Sequence, residues 1–237
     1  MNTLLLGVVG STAYGLAGPD SDVDRLGMYA APTIEFHGLH PPLGREATIV
    51  QHNPDVTMHE AGKFVALCLK ANPTVMELLW LNGYEIRSRL GQDLIDIRGA
   101  FLSATAVRKA YFGYAKAQFD RLSDTGLFAS KQRSKVAKHA RHMLRLLHHG
   151  LQLYSTGELT IKLEDAQSYI DFGDQVAIDP STAKPMMEVM EARFASATSP
   201  LPEKPDEALV ESWLHDVRGA YLYYDYEEKV VQSHDTR

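Results

Sequence analysis

Gly10-Ser11-Thr12-Ala13-Tyr14-Gly15-Leu16-Ala17-Gly18-Pro19-Asp20-Ser21-Asp22-Val23-Asp24 joins a turn of small residues to two carboxylates two positions apart. Backbone N–H groups in such a turn can face an anion. Before it, Leu4 to Val9 is a short apolar run that reads as a buried strand. After the turn residues Gly18-Pro19-Asp20-Ser21, Val23 to Ala30 reads as a second strand. On a strand, positions i and i+2 share a face, so Asp22 and Asp24 point the same way and repel unless a cation lies between them. Mg²⁺ is usually held by one or two carboxylates plus substrate phosphates, which this pair can offer.

Further along, Thr48-Ile49-Val50-Gln51 reads as a strand and Asn53-Pro54 as a turn, followed at once by Asp55. Thr57-Met58-His59-Glu60 matches a capping box, so a helix is expected to begin there, with Phe64, Leu67 and Cys68 at helical spacing. That places Asp55 at a strand-to-helix junction, the best candidate for a third carboxylate in a two-metal site. Asn72-Pro73 ends the helix, and Thr74 to Leu81 is a second helical piece. Beyond Gly91 the pattern becomes helical, over about 92 to 123, 130 to 154 and 206 to 232, with a loop at Ser196 to Pro205.

The bulk numbers of the 237 residues, 45% hydrophobic and 23% charged, describe an ordinary globular chain. A single cysteine, Cys68, allows no internal disulfide and reads as a small buried residue, so a reducing, cytoplasmic setting is expected. The first ten residues lack the basic flank and the length of a signal peptide, and no apolar run suits a membrane span. A net charge of −6 argues against indiscriminate nucleic-acid coating while leaving room for a local basic surface.

Competing readings of the same letters fail on spacing. A calcium loop starting at Asp20 would need Gly where Arg25 stands and Glu where Ala31 stands. His59-Glu60 opens like a zinc-protease motif, but Lys63 occupies the place of the second His. Gly7 to Ser11 contains neither a dinucleotide fingerprint nor a P-loop. A solvated Asp-x-Asp loop capping local N–H groups is the plainer alternative. The order of strand, Gly-Ser turn, acidic pair and positioned third Asp favours a site instead.

Gly126 to Gly157 contains no Asp or Glu but carries Lys131, Arg133, Lys135, Lys138, Arg141 and Arg145 with His139, His142, His148 and His149. Val136, Ala140, Met143, Leu147 and Leu151 form an apolar stripe at helical spacing. Lys131, Lys135, Lys138, His142, Arg145 and His149 fall on the roughly opposite face, which reads as an anion-attracting surface. It is suited to an NTP triphosphate or to an RNA track along 131–149. The adjacent His148 and His149 point apart and make a poor metal pair. Tyr221, Tyr223, Tyr224 and Tyr226 read as helix packing.

Gly10-Ser11 with Asp22-Val23-Asp24 and the later Asp55 resembles the DNA polymerase β nucleotidyltransferase superfamily. With His59-Glu60, Asn72-Pro73-Thr74 and Glu77-Leu78-Leu79-Trp80 in order, the chain looks like the branch of predicted nucleotidyltransferases found in bacteria and their phages. The resemblance covers most of the first 160 residues. It implies an α+β fold, with a small mixed sheet and flanking helices as a catalytic core over residues 1–90 and a mainly helical domain over 91–237 closing the nucleotide cleft. By the same resemblance, Gly10 and Ser11 hold nucleotide phosphates, and Asp22, Asp24 and Asp55 bind Mg²⁺ or Mn²⁺. Asp55 also assists deprotonation of the attacking hydroxyl, while Lys138 and Arg145 contact phosphate. The implied reaction moves a nucleoside monophosphate from an NTP to an acceptor hydroxyl, an RNA end being the first guess. A non-catalytic nucleotide- or RNA-binding module on the same fold is the alternative, and an interaction protein with a structural acidic pair is a third. The sequence does not disclose oligomeric state.

Overall fold

The computed structural model describes residues 1–19, 21–124 and 130–222. Asp20, Tyr223, Tyr224, Tyr226 and the far part of the helix expected to reach 232 lie outside them. The first ninety residues build a five-stranded mixed sheet in the order β3-β4-β2-β1-β5. Its strands are β1 (Asn2–Val8), β2 (Arg25–Ala30), β3 (Thr48–His52), β4 (Asp55–Glu60) and β5 (Ile86–Arg87). All pairings are antiparallel except β2 with β4, which run parallel. Five of the six β2 residues are buried. A strand flanked on both edges and covered on its faces tolerates such an unbroken apolar run.

The capping-box reading of Thr57 to Glu60 is corrected by β4. These residues pair with β2 on one side and β3 on the other, and helix α2 (Ala61–Cys68) starts only afterwards (α1 is Gly10–Tyr14). Two ladders of backbone bonds outweigh one local cap, and β-branched Val56 and Thr57 favour the extended form. Glu60 caps α2 itself, accepting from Gly62 N at 2.7 Å. The piece expected over Thr74 to Leu81 is α3 (Pro73–Met76), capped by Asn72, running into a 3₁₀ turn at Glu77–Trp80.

Beyond the sheet the chain is helical, as expected. The stretch from about 92 to 123 is two helices, α4 (Arg89–Asp96) and α5 (Ala104–Asp124), with a 3₁₀ turn between them. There follow α6 (Ser130–Thr156), α7 (Ala166–Ile178), α8 (Ala183–Ser196) and α9 (Glu207–Ala220). One continuous core runs from Leu4 and Leu5 of β1 through Phe64, Met143 and Leu147 to Trp213 and Val217. Each such apolar side chain contributes roughly 1.5–3 kcal/mol on burial. Cys68 is fully buried there, and burial pushes its thiol pKa up.

Helix α9 returns to the sheet. Arg218 bonds Glu60 at 2.6 Å, its carbonyl accepts from Thr33 Oγ1 at 2.7 Å, and Trp213 Nε1 donates to the Leu90 carbonyl at 2.9 Å. Among the described residues, no helix is long and apolar enough to cross a membrane.

Candidate active site

The turn after β1 is pinned to the start of β2. Val8 pairs with Arg25, and one residue further Val9 N donates to the Asp24 carbonyl at 2.9 Å. Gly10 therefore lies against the Asp24 side chain. A Cβ on Gly10 would stand 2.5 Å from Asp24 Oδ2, and the residue has φ of +68°, so only glycine fits without strain. Asp22 and Asp24 occupy the lead-in to β2, which starts at Arg25 rather than at Val23.

The parallel pairing of Arg25 with Val56 carries Asp24 and Asp55 to the same end of adjacent strands. Period-two alternation then places Asp55, Thr57 and His59 on one face, and all three line a cleft of about 690 Å³. Gly10, Ser11, Asp24, Lys138 and Arg145 line it as well, whereas Asp22 stands outside its wall. The Asp24 carboxyl pKa is pushed up by burial and by the Asp55 charge, with a smaller push from Asp22, and Lys138 pulls it down. His52 Nδ1 lies 3.6 Å from Asp55 Oδ1.

Among the described residues, no three carboxylates, imidazoles or thiols are grouped closely enough to cage a metal ion. The donors on these carboxylates are nonetheless hard oxygens, and the Asp55 and Asp22 charges disfavour the charged form of Asp24. Such a set suits a hard divalent cation that keeps waters and takes further oxygens from a substrate phosphate.

Opposite the carboxylates stands α6. Lys138 is exposed and Arg141 half-buried, both line the cleft, and neither has a hydrogen bond or ion pair with another described residue. Past them the helix is no open basic face. α5 packs along one side and α7 along the other, so close that a Cβ on Gly173 would meet Arg141 Cγ at 2.6 Å. Arg145 and His149, expected on a solvated face, are 2% and 3% exposed. The apolar stripe lies inside as expected, with Ala140, Met143 and Leu147 buried.

The Arg145 guanidinium carbon sits 4.0 Å from the Tyr14 ring centroid, and Nη1 lies 3.8 Å from Glu77 Oε2. Tyr14 donates its hydroxyl to that same oxygen at 2.5 Å. Glu77 is buried, which raises its pKa, while Arg145, Tyr14 and the Gly10 backbone hold it toward the charged form. Arg145 also reaches His149 Nδ1 at 3.2 Å and His142 Nδ1 at 3.5 Å. Arginine only donates, so both Nδ1 atoms accept and both rings are neutral. Burial, reinforced by Arg145, pushes both imidazole pKa values down to about 3. His139 and His148 are likewise engaged, with Gln118 Oε1 at 2.8 Å and Tyr169 OH at 2.6 Å.

Sequence reasoning missed Tyr14 and Glu77, and it did not single out Arg141. The available signal was Glu77 itself, a carboxylate flanked by Val75-Met76 and Leu78-Leu79, because an acid in so apolar a run needs a buried partner.

The model of the RNA repair pathway DNA polymerase beta family matches residues 1–171. The chain belongs to that family. The match spans the sheet, the Gly10 turn, Asp22, Asp24 and Asp55, and α6 with Lys138, Arg141 and Arg145. The polymerase β-like nucleotidyltransferase superfamily is therefore the right frame for this α+β fold. A comparison with curated proteins gave no match.

Proposed function

We propose that the protein is a metal-dependent nucleotidyltransferase that moves a nucleoside monophosphate from an NTP to an acceptor hydroxyl, with an RNA end as acceptor. The observation that carries the reading is the convergence of Asp24 and Asp55 at one end of adjacent parallel strands, facing unpaired Lys138 and Arg141 across the cleft. Residues 1–90 act as the catalytic core, and residues 91–237 close the cleft through α6.

In this reading Asp24 and Asp55, with Asp22 at the margin, hold Mg²⁺ or Mn²⁺. When bound, the metal neutralises charge on the attacking and leaving oxygens. Gly10 lets Asp24 approach, and Ser11 offers its N–H and hydroxyl to the phosphates, because the Gly10 N–H is turned to Glu77. Lys138 and Arg141 bind the triphosphate from the far wall, and Arg145 fixes Tyr14 and the turn rather than reaching phosphate. The acceptor oxygen bonds to the α-phosphorus, the bond to the bridging oxygen breaks, and pyrophosphate leaves. The acceptor's proton passes to Asp55 and then to solvent.

The test is incubation with each α-labelled NTP, Mg²⁺ or Mn²⁺, and separate RNA and protein fractions. Label entering RNA with wild type and lost with Asp24→Asn supports the reading. Metal-dependent NTP binding without label transfer to any acceptor would leave a binding module in its place.

A further inference from the structure

Two hollows continue the cleft along α5. The first, of about 1090 Å³, shares Thr74 and His142 with the cleft, and the second, of about 510 Å³, shares Thr105, Lys109 and Gly113 with the first. Shared residues make the three adjoin, and the first hollow by itself runs along α5 from Thr105 to Arg121. Its floor is a face of α5 where Ala106, Ala110, Gly113 and Ala117 recur at helical spacing, so the helix surface stays low.

Lys70, Lys109 and Arg121 stand along the first hollow, and none of them is ion-paired with a described residue. Arg108 adds a cation at the second. Glu203 and Glu191 are the carboxylates in these walls among the described residues, one in each hollow. That balance is positive in a chain whose net charge is −6. Tyr114 is 39% exposed in the first hollow, and its hydroxyl is held by Asn72 Nδ2 at 3.0 Å, which fixes the ring.

We propose that this groove binds a single strand of RNA and leads its end into the cleft, so that α5, not the basic side of α6, is the acceptor track. The inference rests on the RNA-acceptor reading above. Unpaired cations with a fixed aromatic ring are the combination that follows a flexible phosphate backbone and stacks its bases. Thr105 and Arg121 are about 24 Å apart along α5 at ~1.5 Å per residue. At ~3.4 Å per stacked nucleotide that distance holds roughly seven phosphates. A hollow of this size takes one strand, whereas duplex RNA is read as a shape across a wide minor groove. The first hollow meets the cleft at Thr74 and His142, and the cleft holds Asp24 and Asp55, so a strand leaving the groove at that junction heads toward the carboxylates.

The experiment is fluorescence anisotropy of a labelled single-stranded RNA long enough to span the groove, titrated at several salt concentrations. The proteins are wild type, Lys109→Ala/Arg121→Ala and Tyr114→Ala. Removal of two phosphate contacts should flatten the slope of log K against log salt by about 1.4, at ~0.7 per contact for single strands. Tyr114→Ala should weaken binding roughly tenfold through lost stacking. Affinity for the NTP with Mg²⁺ should change less than twofold in both. Variants that bind RNA with wild-type affinity and slope, while transfer remains intact, overturn the groove alone. Displacement of RNA by polyglutamate as readily as by unlabelled single strand also overturns it. A wild-type protein showing this groove signature but transferring no nucleotide overturns the transferase reading and leaves the groove standing.

Discussion

Replacing Arg145 with methionine tests whether the buried cluster under the cleft is an electrostatic fastening or a phosphate contact. At 3.8 Å and an effective dielectric near 20, the Arg145–Glu77 attraction is about 4 kcal/mol before desolvation is counted. Both side chains are only 2–3% exposed, so the substitution strands the Glu77 carboxylate without its cation. Breaking a buried pair from one side costs about 3–5 kcal/mol. With a urea m-value of ~2–3 kcal/mol/M, the midpoint should fall by about 1–2.5 M. The transition can be followed through Trp80 and Trp213, both inside the core. The double variant Glu77→Gln/Arg145→Met removes both charges and should recover at least ~1.5 kcal/mol of the loss. All of this should occur without nucleotide. A single variant that loses less than ~1 kcal/mol, or a double variant whose loss is the sum of the two singles, refutes the coupling.

Gly10→Ala places a methyl against Asp24 Oδ2 at positive φ, so it should cost about 1–2 kcal/mol in a thermal melt and weaken metal-dependent nucleotide binding more than tenfold. Lys138→Ala and Arg141→Ala should each raise the Kd for NTP with Mg²⁺ by about tenfold in calorimetry, and Lys138→Ala should leave the urea midpoint unchanged, because Lys138 is exposed and has no ion pair with another described residue. His142 and His149 stay neutral in the folded protein down to about pH 3, whereas an unfolded histidine takes up its proton below ~6.5. Their contribution is therefore complete at pH 7 and lost as pH falls from about 6.5 toward 3. The loss is roughly 1.4 kcal/mol per pH unit for each, read as the pH slope of unfolding free energy. His149→Gln keeps an acceptor for Arg145 without titrating, and should remove about half of that slope.

The turn after β1 and its neighbouring carboxylates were legible because their signals are local. An apolar run, Gly10-Ser11 and Asp22-Val23-Asp24 declare themselves within a window of two dozen residues, and Asp55 follows an obvious turn. Thr57 to Glu60 was illegible for the opposite reason. The same four letters serve a capping box or a strand, and only β2 and β3, brought alongside by the fold, decide between them. Arg145 fails similarly. A two-faced view of a helix gives one buried side, but α6 is flanked by α5 and α7, so residues on its polar side become interior once the chain closes. The Glu77 partnership joins residues 63 and 68 positions apart, beyond any periodic pattern.

The return of α9 to the sheet bears on the order in which the chain can become functional during synthesis. Glu60 is 1% exposed, and the arginine that bonds it lies 158 residues later. A nascent chain emerging as far as residue 171 already holds every residue assigned to the cleft, yet it carries a buried carboxylate whose cation has not been made. Until Arg218 arrives, the Glu60 carboxylate, at the far end of β4 from Asp55, lacks the cation that bonds it. The strand that brings Asp55, Thr57 and His59 to the cleft is thus anchored by a helix with no described residue in the cleft's walls, and a fragment trimmed to the family-matching segment should fold less firmly than its contents suggest.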